Sequence, residues 1–372
     1  MKIIQFSSGD LWAGAEVQLY HMVCSMNNLE DIDLTVILLN HGQLEKKLIR
    51  QNIKVVVLDE SQFNSIKIFF MFKALVKELK PDLIHTHRTK ENILGGIAAF
   101  VSGCKSVRTV HGANEFKVSL YNIKAFSYAL ADKLVGRFLQ NRIIVVSDEL
   151  KCKLSNEYPV THLTVIKNSV SAKYIEDQAT ARLDSISEPD QLNVCFIGRF
   201  VPVKRIDLFY NVAKEVIKSR KGLNVHFHMI GDGPLWRDYH NRVSTDNLES
   251  RIHLTGFVKN TAPYLKKMDL LLFTSDHEGL PMTLLEAMIL GVPVLARNNL
   301  KTIRQVLREG ECGYIKSFDN IKAAAVSLVD ILTDNIDREK KVELAKKTIH
   351  TEYLIEKNIK LYIKLYRETL AL

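Results

Sequence analysis

The sequence predicts an α/β protein built from two Rossmann-like, doubly wound parallel sheets. Short apolar runs alternate with helical stretches along the whole chain, the pattern of repeated strand–helix units. Many of the runs are nearly continuous Val, Ile and Leu, as in strands buried on both faces. At 372 residues the chain is long for one core and comfortable for two. In such sheets ligands bind beyond the carboxyl ends of the strands. Two such domains facing each other would make a central cleft with loops on both walls.

The first series of expected strands is 3–6, 34–39, 54–58, 83–86, 106–110 and 142–146. A polar segment without apolar period follows at 176–191, and a fresh strand starts at Leu192. The second series is 192–197, 224–230, 251–255, 270–274 and 293–296. Leu354, Ile359, Ile363 and Tyr366 recur at helical spacing and predict a last helix. The expected organisation is therefore a first domain over 1–175, a linker at 176–191, a second domain over 192–350, and a terminal helix at 351–372 that can return to the first domain.

A charge of +9 admits an anionic partner: nucleotide, nucleic acid or anionic lipid. Nucleic acid is not expected, because no zinc finger or RNP motif is present and the basic residues are spread along the chain. The opening Met1-Lys2-Ile3-Ile4-Gln5-Phe6 runs directly into a strand pattern, unlike a signal peptide. No apolar run approaches the roughly 20 residues of a membrane span. Cys24, Cys104, Cys152, Cys195 and Cys312 form no CxxC pair or metal spacing. They read as reduced thiols of a cytoplasmic protein.

The most informative stretch runs from Glu278 to Glu286. Glu278 follows the apolar run Leu270-Leu271-Leu272-Phe273, and Glu286 lies within the helix-like Thr283-Leu284-Leu285-Glu286-Ala287-Met288. Gly279, Leu280 and Pro281 turn the chain between them. Such a strand–loop–helix junction offers backbone N–H groups and a helix N-terminus to an anion. With Glu286 about two turns into the helix, two carboxylates can grip separate hydroxyl-rich parts of one ligand. A phosphate-bearing sugar suits that arrangement.

The strand at 192–197 ends in Gly198-Arg199, with Lys204 shortly after. Arg can chelate a phosphate through two N–H donors, and Lys supplies a compact charge. Together they can neutralise a diphosphate leaving group without a metal. Gly231-Asp232-Gly233-Pro234 reads as a structural turn, and Thr255-Gly256-Phe257-Val258 ends a strand whose backbone could meet a base edge. In the first domain, the loop from Ser7 to Glu16 contains Gly14 but no GxGxxG, which disfavours a nicotinamide cofactor. His85 and His87 end one strand and His111 another. His85 reads as packed within its strand. His111, beside Gly112, is the best catalytic candidate among them, and metal ligation is not expected.

These features together resemble glycosyltransferase family 4, the retaining enzymes of GT-B architecture. The motifs follow the family's order: Ala13-Gly14-Ala15-Glu16, His85-Thr86-His87, Thr109-Val110-His111-Gly112, Gly198-Arg199 with Lys204, Gly231-Asp232-Gly233-Pro234, Gly256-Phe257, and the block from Glu278 to Val294. The resemblance implies that Arg199 and Lys204 hold the donor diphosphate, Glu286 the ribose, and Glu278 the transferred sugar beside its anomeric carbon. It further implies that Val258, Leu280 and the backbone around Gly279, Thr283 and Leu284 serve the donor, that His111 binds its sugar, and that Gly14 lies near the diphosphate. Transfer would proceed with retention and without metal or other cofactor, and UDP is the expected nucleotide. The chain departs from the family at Ala13, Ser169, Lys301-Thr302 and Gln305, positions that bear on loop geometry and sugar choice.

A saccharide or lipid-linked saccharide is the expected acceptor. Two basic, aromatic stretches at 66–73 and 117–142 fit either an anionic membrane surface or ordinary core-facing helices. This predicts a cytoplasmic enzyme of surface polysaccharide or glycolipid synthesis, peripheral on the inner face of the plasma membrane. The alternatives are a nucleotide-sugar epimerase of the same architecture and a catalytically idle, sugar-nucleotide-binding partner subunit.

Overall fold

The structure, a computed structural model, describes residues 1–10, 12, 14–112, 123–181, 190–220, 222–278 and 280–372. The chain divides into two compact units. Unit 1 comprises Met1–Ser169 with Ile355–Leu372, and unit 2 comprises Val170–Leu354.

Among its described residues unit 1 holds seven strands: β1 Lys2–Ser7, β2 Asp33–Leu38, β3 Lys54–Val57, β4 Leu83–Thr86, β5 Lys105–Val110, β6 Arg142–Val145 and β7 Leu163–Val165. All pair in parallel, in the order β3-β2-β1-β4-β5-β6-β7. Crossovers run through α1 Gly14–Asn27, α2 Gln43–Arg50, α3 Ser65–Leu79, α4 Thr89–Val101, α5 Ile123–Phe138 and α6 Asp148–Leu154. Ile68, Phe72 and Val76 form the buried stripe of α3, and Phe72 stacks on Phe6 of β1 at 4.2 Å between ring centroids. Ile66 and Phe70 of the same helix are exposed. Lys117 to Asn122 of the second basic stretch lie outside the described residues.

Unit 2 begins with α7 Ala172–Gln178 and holds β8 Leu192–Ile197, β9 Val225–Ile230, β10 Ile252–Gly256, β11 Leu270–Phe273, β12 Val294–Arg297 and β13 Tyr314–Lys316. Its order is β10-β9-β8-β11-β12-β13, again all parallel. The helices are α8 Ile206–Ser219, α9 Trp236–Thr245, α10 Ala262–Lys266, α11 Met282–Leu290, α12 Lys301–Val306, α13 Ile321–Thr333 and α14 Asn335–Thr348. Val194, Phe196, Phe209, Val212, Phe227 and Leu328 lie at the centre of its core. The chain enters this unit at Val170, several residues before the segment expected as a linker, because α7 packs on α10 and α11.

The last helix, α15 Ile355–Leu370, belongs to unit 1 and packs on α1 and β5. Tyr366 is fully buried there, its hydroxyl 2.6 Å from His85 Nδ1 and accepting from Gln5 Nε2 at 3.2 Å.

Strand order reverses between β1 and β4 in unit 1 and between β8 and β11 in unit 2. Those are the points where loops diverge and leave a crevice beyond the carboxyl ends of the strands. The sequence-derived candidates fall mainly around them.

Candidate active site

In unit 2 the loops leaving β8 and β11 meet. Lys204 closes the short turn Pro202–Lys204, and its Nζ lies 2.5 Å from Glu278 Oε1. Two bonds tie the loops beneath that pair. Thr274 Oγ1 donates to the Lys204 carbonyl at 2.8 Å, and Asp276 N–H donates to the Val203 carbonyl at 2.8 Å. Arg205 follows with φ of 49°, a left-handed turn that begins α8. Its guanidinium bonds Asp207 at 2.8 and 2.9 Å and reaches Asp276 at 3.4 Å. Arg297 also bonds Asp276. Arg199 is exposed, and no described residue pairs with it.

Gly231 and Gly233 carry the exit of β9 against this wall, with φ of 135° and 155°. A Cβ on Gly231 would sit 1.9 Å from the Gly198 carbonyl oxygen, and one on Gly233 2.8 Å from Phe200 N. The glycines are therefore required by backbone approach, which agrees with the structural reading of that motif.

Pro281 precedes α11 and no side chain caps this nine-residue helix. Its first N–H groups, at Met282, Thr283 and Leu284, have no intrahelical acceptor. Leu280 and Leu284 are buried and Thr283 is half-buried. Gly279 lies outside the described residues. Glu286 is the fifth residue of α11, little more than one turn into the helix rather than two. Its only described side-chain partner is Thr261 Oγ1, at 3.5 Å. Burial pushes the Glu286 carboxyl up to about 7, against a small opposing effect of Thr261. Val258 is half-buried, two residues beyond β10.

In unit 1 three imidazoles lie side by side at the ends of β4 and β5: His85 and His87 are tilted with centroids 4.1 Å apart, and His87 stacks on His111 at 5.7 Å. His85 Nε2 meets Thr109 Oγ1 at 2.7 Å, and His87 Nε2 meets Gln5 Oε1 at 2.8 Å. Both are packed, as expected for His85. His111 differs: both ring nitrogens are shielded from water and bonded to no described residue. Burial, reinforced by the nearby Arg88 cation, lowers its pKa to about 4. Burial thus favours the neutral ring, which offers one donor and one acceptor nitrogen. Gly14 is the exposed first residue of α1.

Sequence reasoning missed Asp276, which ties two arginines between the loops of Lys204 and Glu278. It also missed Arg88 and Glu91, and it named Glu16 only within the Ala13-Gly14-Ala15-Glu16 motif, with no role. Glu16 and Glu91 look like ordinary acidic residues of helical first turns; both are buried.

Two parallel α/β units, each with charged loops at its switch point, define a GT-B type architecture. Residues 12–174 match the model of Glycosyltransferase Family 4, and residues 191–334 that of Glycosyl transferases group 1. The chain belongs to this family and is a glycosyltransferase. It is 28% identical over 290 residues to an Escherichia coli UDP-Gal:alpha-D-GlcNAc-diphosphoundecaprenol alpha-1,3-galactosyltransferase, covering 74% of this chain and 73% of that one. It is 25% identical over 230 residues to a Staphylococcus aureus poly(ribitol-phosphate) alpha-N-acetylglucosaminyltransferase, covering 61% of this chain but only 44% of that enzyme's length. Anabaena Alr3699/HepE, solved in complex with UDP, superposes with a TM-score of 0.80 at 16% identity, over 99% of this chain and all of that one.

Proposed function

We propose that this glycosyltransferase moves a sugar with retention from a UDP-sugar to a saccharide or lipid-linked saccharide acceptor, without a metal or other cofactor. The observation that carries the reading is the Lys204–Glu278 pair at the β8/β11 switch point, with Arg199 exposed beside β8 and the uncapped start of α11 following Pro281. The basic groups suit the diphosphate and the carboxylate suits the sugar. Glu286 takes the ribose, while Val258, Gly279, Leu280, Thr283 and Leu284 line the donor. In unit 1, His111 is assigned to the donor sugar and Gly14 to the diphosphate. In the reaction the acceptor hydroxyl oxygen bonds to the anomeric carbon as the bond from that carbon to the diphosphate oxygen breaks. The acceptor's proton passes to the departing phosphate, and Arg199 and Lys204 stabilise the charge released there.

The E. coli relative, named for a diphosphoundecaprenol acceptor, supports a lipid-linked substrate and a role in surface polysaccharide or glycolipid synthesis. Among the described residues no helix is long and apolar enough to cross a membrane. Exposed Ile66 and Phe70 on α3, and Phe126, Leu130, Leu134 and Phe138 on α5, support peripheral contact with the anionic inner face of the plasma membrane.

The experiment is turnover of UDP-sugars with the purified chain and a lipid-linked saccharide, with the product's anomeric configuration read by NMR. An axial donor linkage retained in the product, at a rate unchanged by EDTA, is expected. An inverted product or loss of activity in EDTA would overturn the mechanism. Conversion of the donor without acceptor would instead indicate an epimerase.

A further inference from the structure

Unit 1 contains a cavity of about 430 Å³ over the carboxyl ends of β1, β2 and β4. That volume lies within the range of small-ligand sites. Ser8, Glu60, Arg88, Lys90 and Glu91 give it polar walls, and Leu39 an apolar one. Its cations are already neutralised. Lys90 pairs with Glu60, and Arg88 pairs with the buried Glu16 and reaches Asp10 at 3.7 Å. Asn40 Nδ2 braces the wall, donating to Glu60 Oε1 at 2.7 Å and to Ser8 Oγ at 3.1 Å.

Glu91 is left over. It is only 1% exposed, it lines the cavity, and no other described side chain bonds it. A backbone N–H bonds the Glu91 carboxyl, whereas Glu16 Oε2 is buried without a partner among the described residues. Glu60 and Glu91 line the cavity with Arg88 and Lys90, and Glu16 and Asp10, which are not among the lining residues, hold the Arg88 guanidinium. Burial holds the Glu91 carboxyl up at about 7 and raises that of Glu16 as well. A bound anion would find both cations already paired and would have to strip one from its partner. A hydroxyl can donate to a carboxylate and accept from Lys or Arg at once, so a ring bearing several hydroxyls satisfies such walls without displacing a pair.

We propose that this cavity binds a hydroxyl-rich, non-anionic ring of the acceptor saccharide and rejects rings bearing a carboxylate or phosphate. The inference rests on the glycosyl-transfer reading and adds to it the charge class of the accepted ring. Any phosphate of a lipid-linked acceptor lies outside the cavity.

The test uses saturation-transfer NMR on the full chain, with methyl glucoside and methyl glucuronide as matched probes and UDP binding measured by calorimetry on the same preparation. Saturation of the glucoside at least fivefold stronger than of the glucuronide is expected. The preference should shrink at least fivefold in the double variant Glu60→Gln, Glu91→Gln. Ala15→Phe, which narrows the cavity from its rim, should abolish glucoside binding while thermal unfolding shows an intact fold. Equal binding of the two probes, or glucoside binding undiminished by Ala15→Phe, would overturn the inference. UDP binding without glucoside binding sinks the cavity assignment alone. Glucoside binding without UDP binding sinks the transfer reading and leaves the cavity as a saccharide site.

Discussion

Lys204 and Glu278 neutralise each other across two loops, Nζ to Oε1 at 2.5 Å, within the proposed donor site. Each group must trade its partner for the ligand. Glu278→Gln frees the ammonium, so UDP should bind about threefold more tightly while turnover falls roughly 100-fold. Lys204→Ala should cut turnover by roughly 100-fold or more and weaken UDP as well. Calorimetry with steady-state kinetics separates these patterns; weakened UDP binding in Glu278→Gln would argue against the exchange.

Asp276 holds Arg205 and Arg297 while its own N–H bonds the Val203 carbonyl. It touches neither Lys204 nor Glu278 but fixes the loops that carry them. Asp276→Ala should lower kcat about 10- to 100-fold, because small misplacements of reacting groups are costly. Its unfolding temperature should stay close to that of the parent, as expected for a part-exposed ion pair. Full activity would show that the loops are set without it.

Glu286 carries a folded-state pKa of about 7 against an ordinary 4.5. Stability from this group is fully present below about pH 4.5 and is lost as pH rises through about 7. If the ionised carboxylate takes the ribose, UDP affinity should rise about tenfold from about pH 6 to about pH 8 through this group. Titration of Glu286→Gln alongside the parent isolates the effect; identical pH profiles would remove Glu286 from the ribose.

His111 behaves oppositely. Its folded pKa of about 4 lies below the ordinary 6.5. Stability from keeping it neutral is present above about pH 6.5 and lost as pH falls through about 4. His111→Asn breaks no described hydrogen bond, so between about pH 7 and about pH 5 it should lose about 2 kcal/mol less than the parent. Denaturant unfolding at the two pH values measures this, and equal losses would contradict a buried neutral ring.

Gly231→Ala should destabilise unit 2 by roughly 3 kcal/mol or more, since φ is 135° and the new Cβ meets a backbone oxygen at 1.9 Å. Gly256→Ala has open space and φ of 75°, so it should cost only about 1–2 kcal/mol. Similar effects of both would mean that the β9 exit relaxes freely.

The parallel strands near each sheet centre were legible because burial on both faces demands unbroken apolar runs. The edge strands β7 and β13 were not, being three residues each, with Thr164 or Lys316 interrupting the pattern. Glu278 and Glu286 were visible through their strand–loop–helix context. Asp276 was not, because its role depends on Arg205 and Arg297 arriving from distant segments. Asp132, within the basic stretch 117–142, is buried and accepts from Arg108 Nη2 at 2.7 Å, pairing a charge inside β5 that no local pattern betrays.

The return of α15 to unit 1 has a consequence for synthesis. Unit 2 is one continuous stretch, complete once Leu354 has left the ribosome. Unit 1 is made first but stays open over β4 and β5 until Tyr362 and Tyr366 have emerged and closed on His85. The unit begun first is therefore the last to receive all of its residues, and His85 gains its Tyr362 and Tyr366 neighbours only with the final helix.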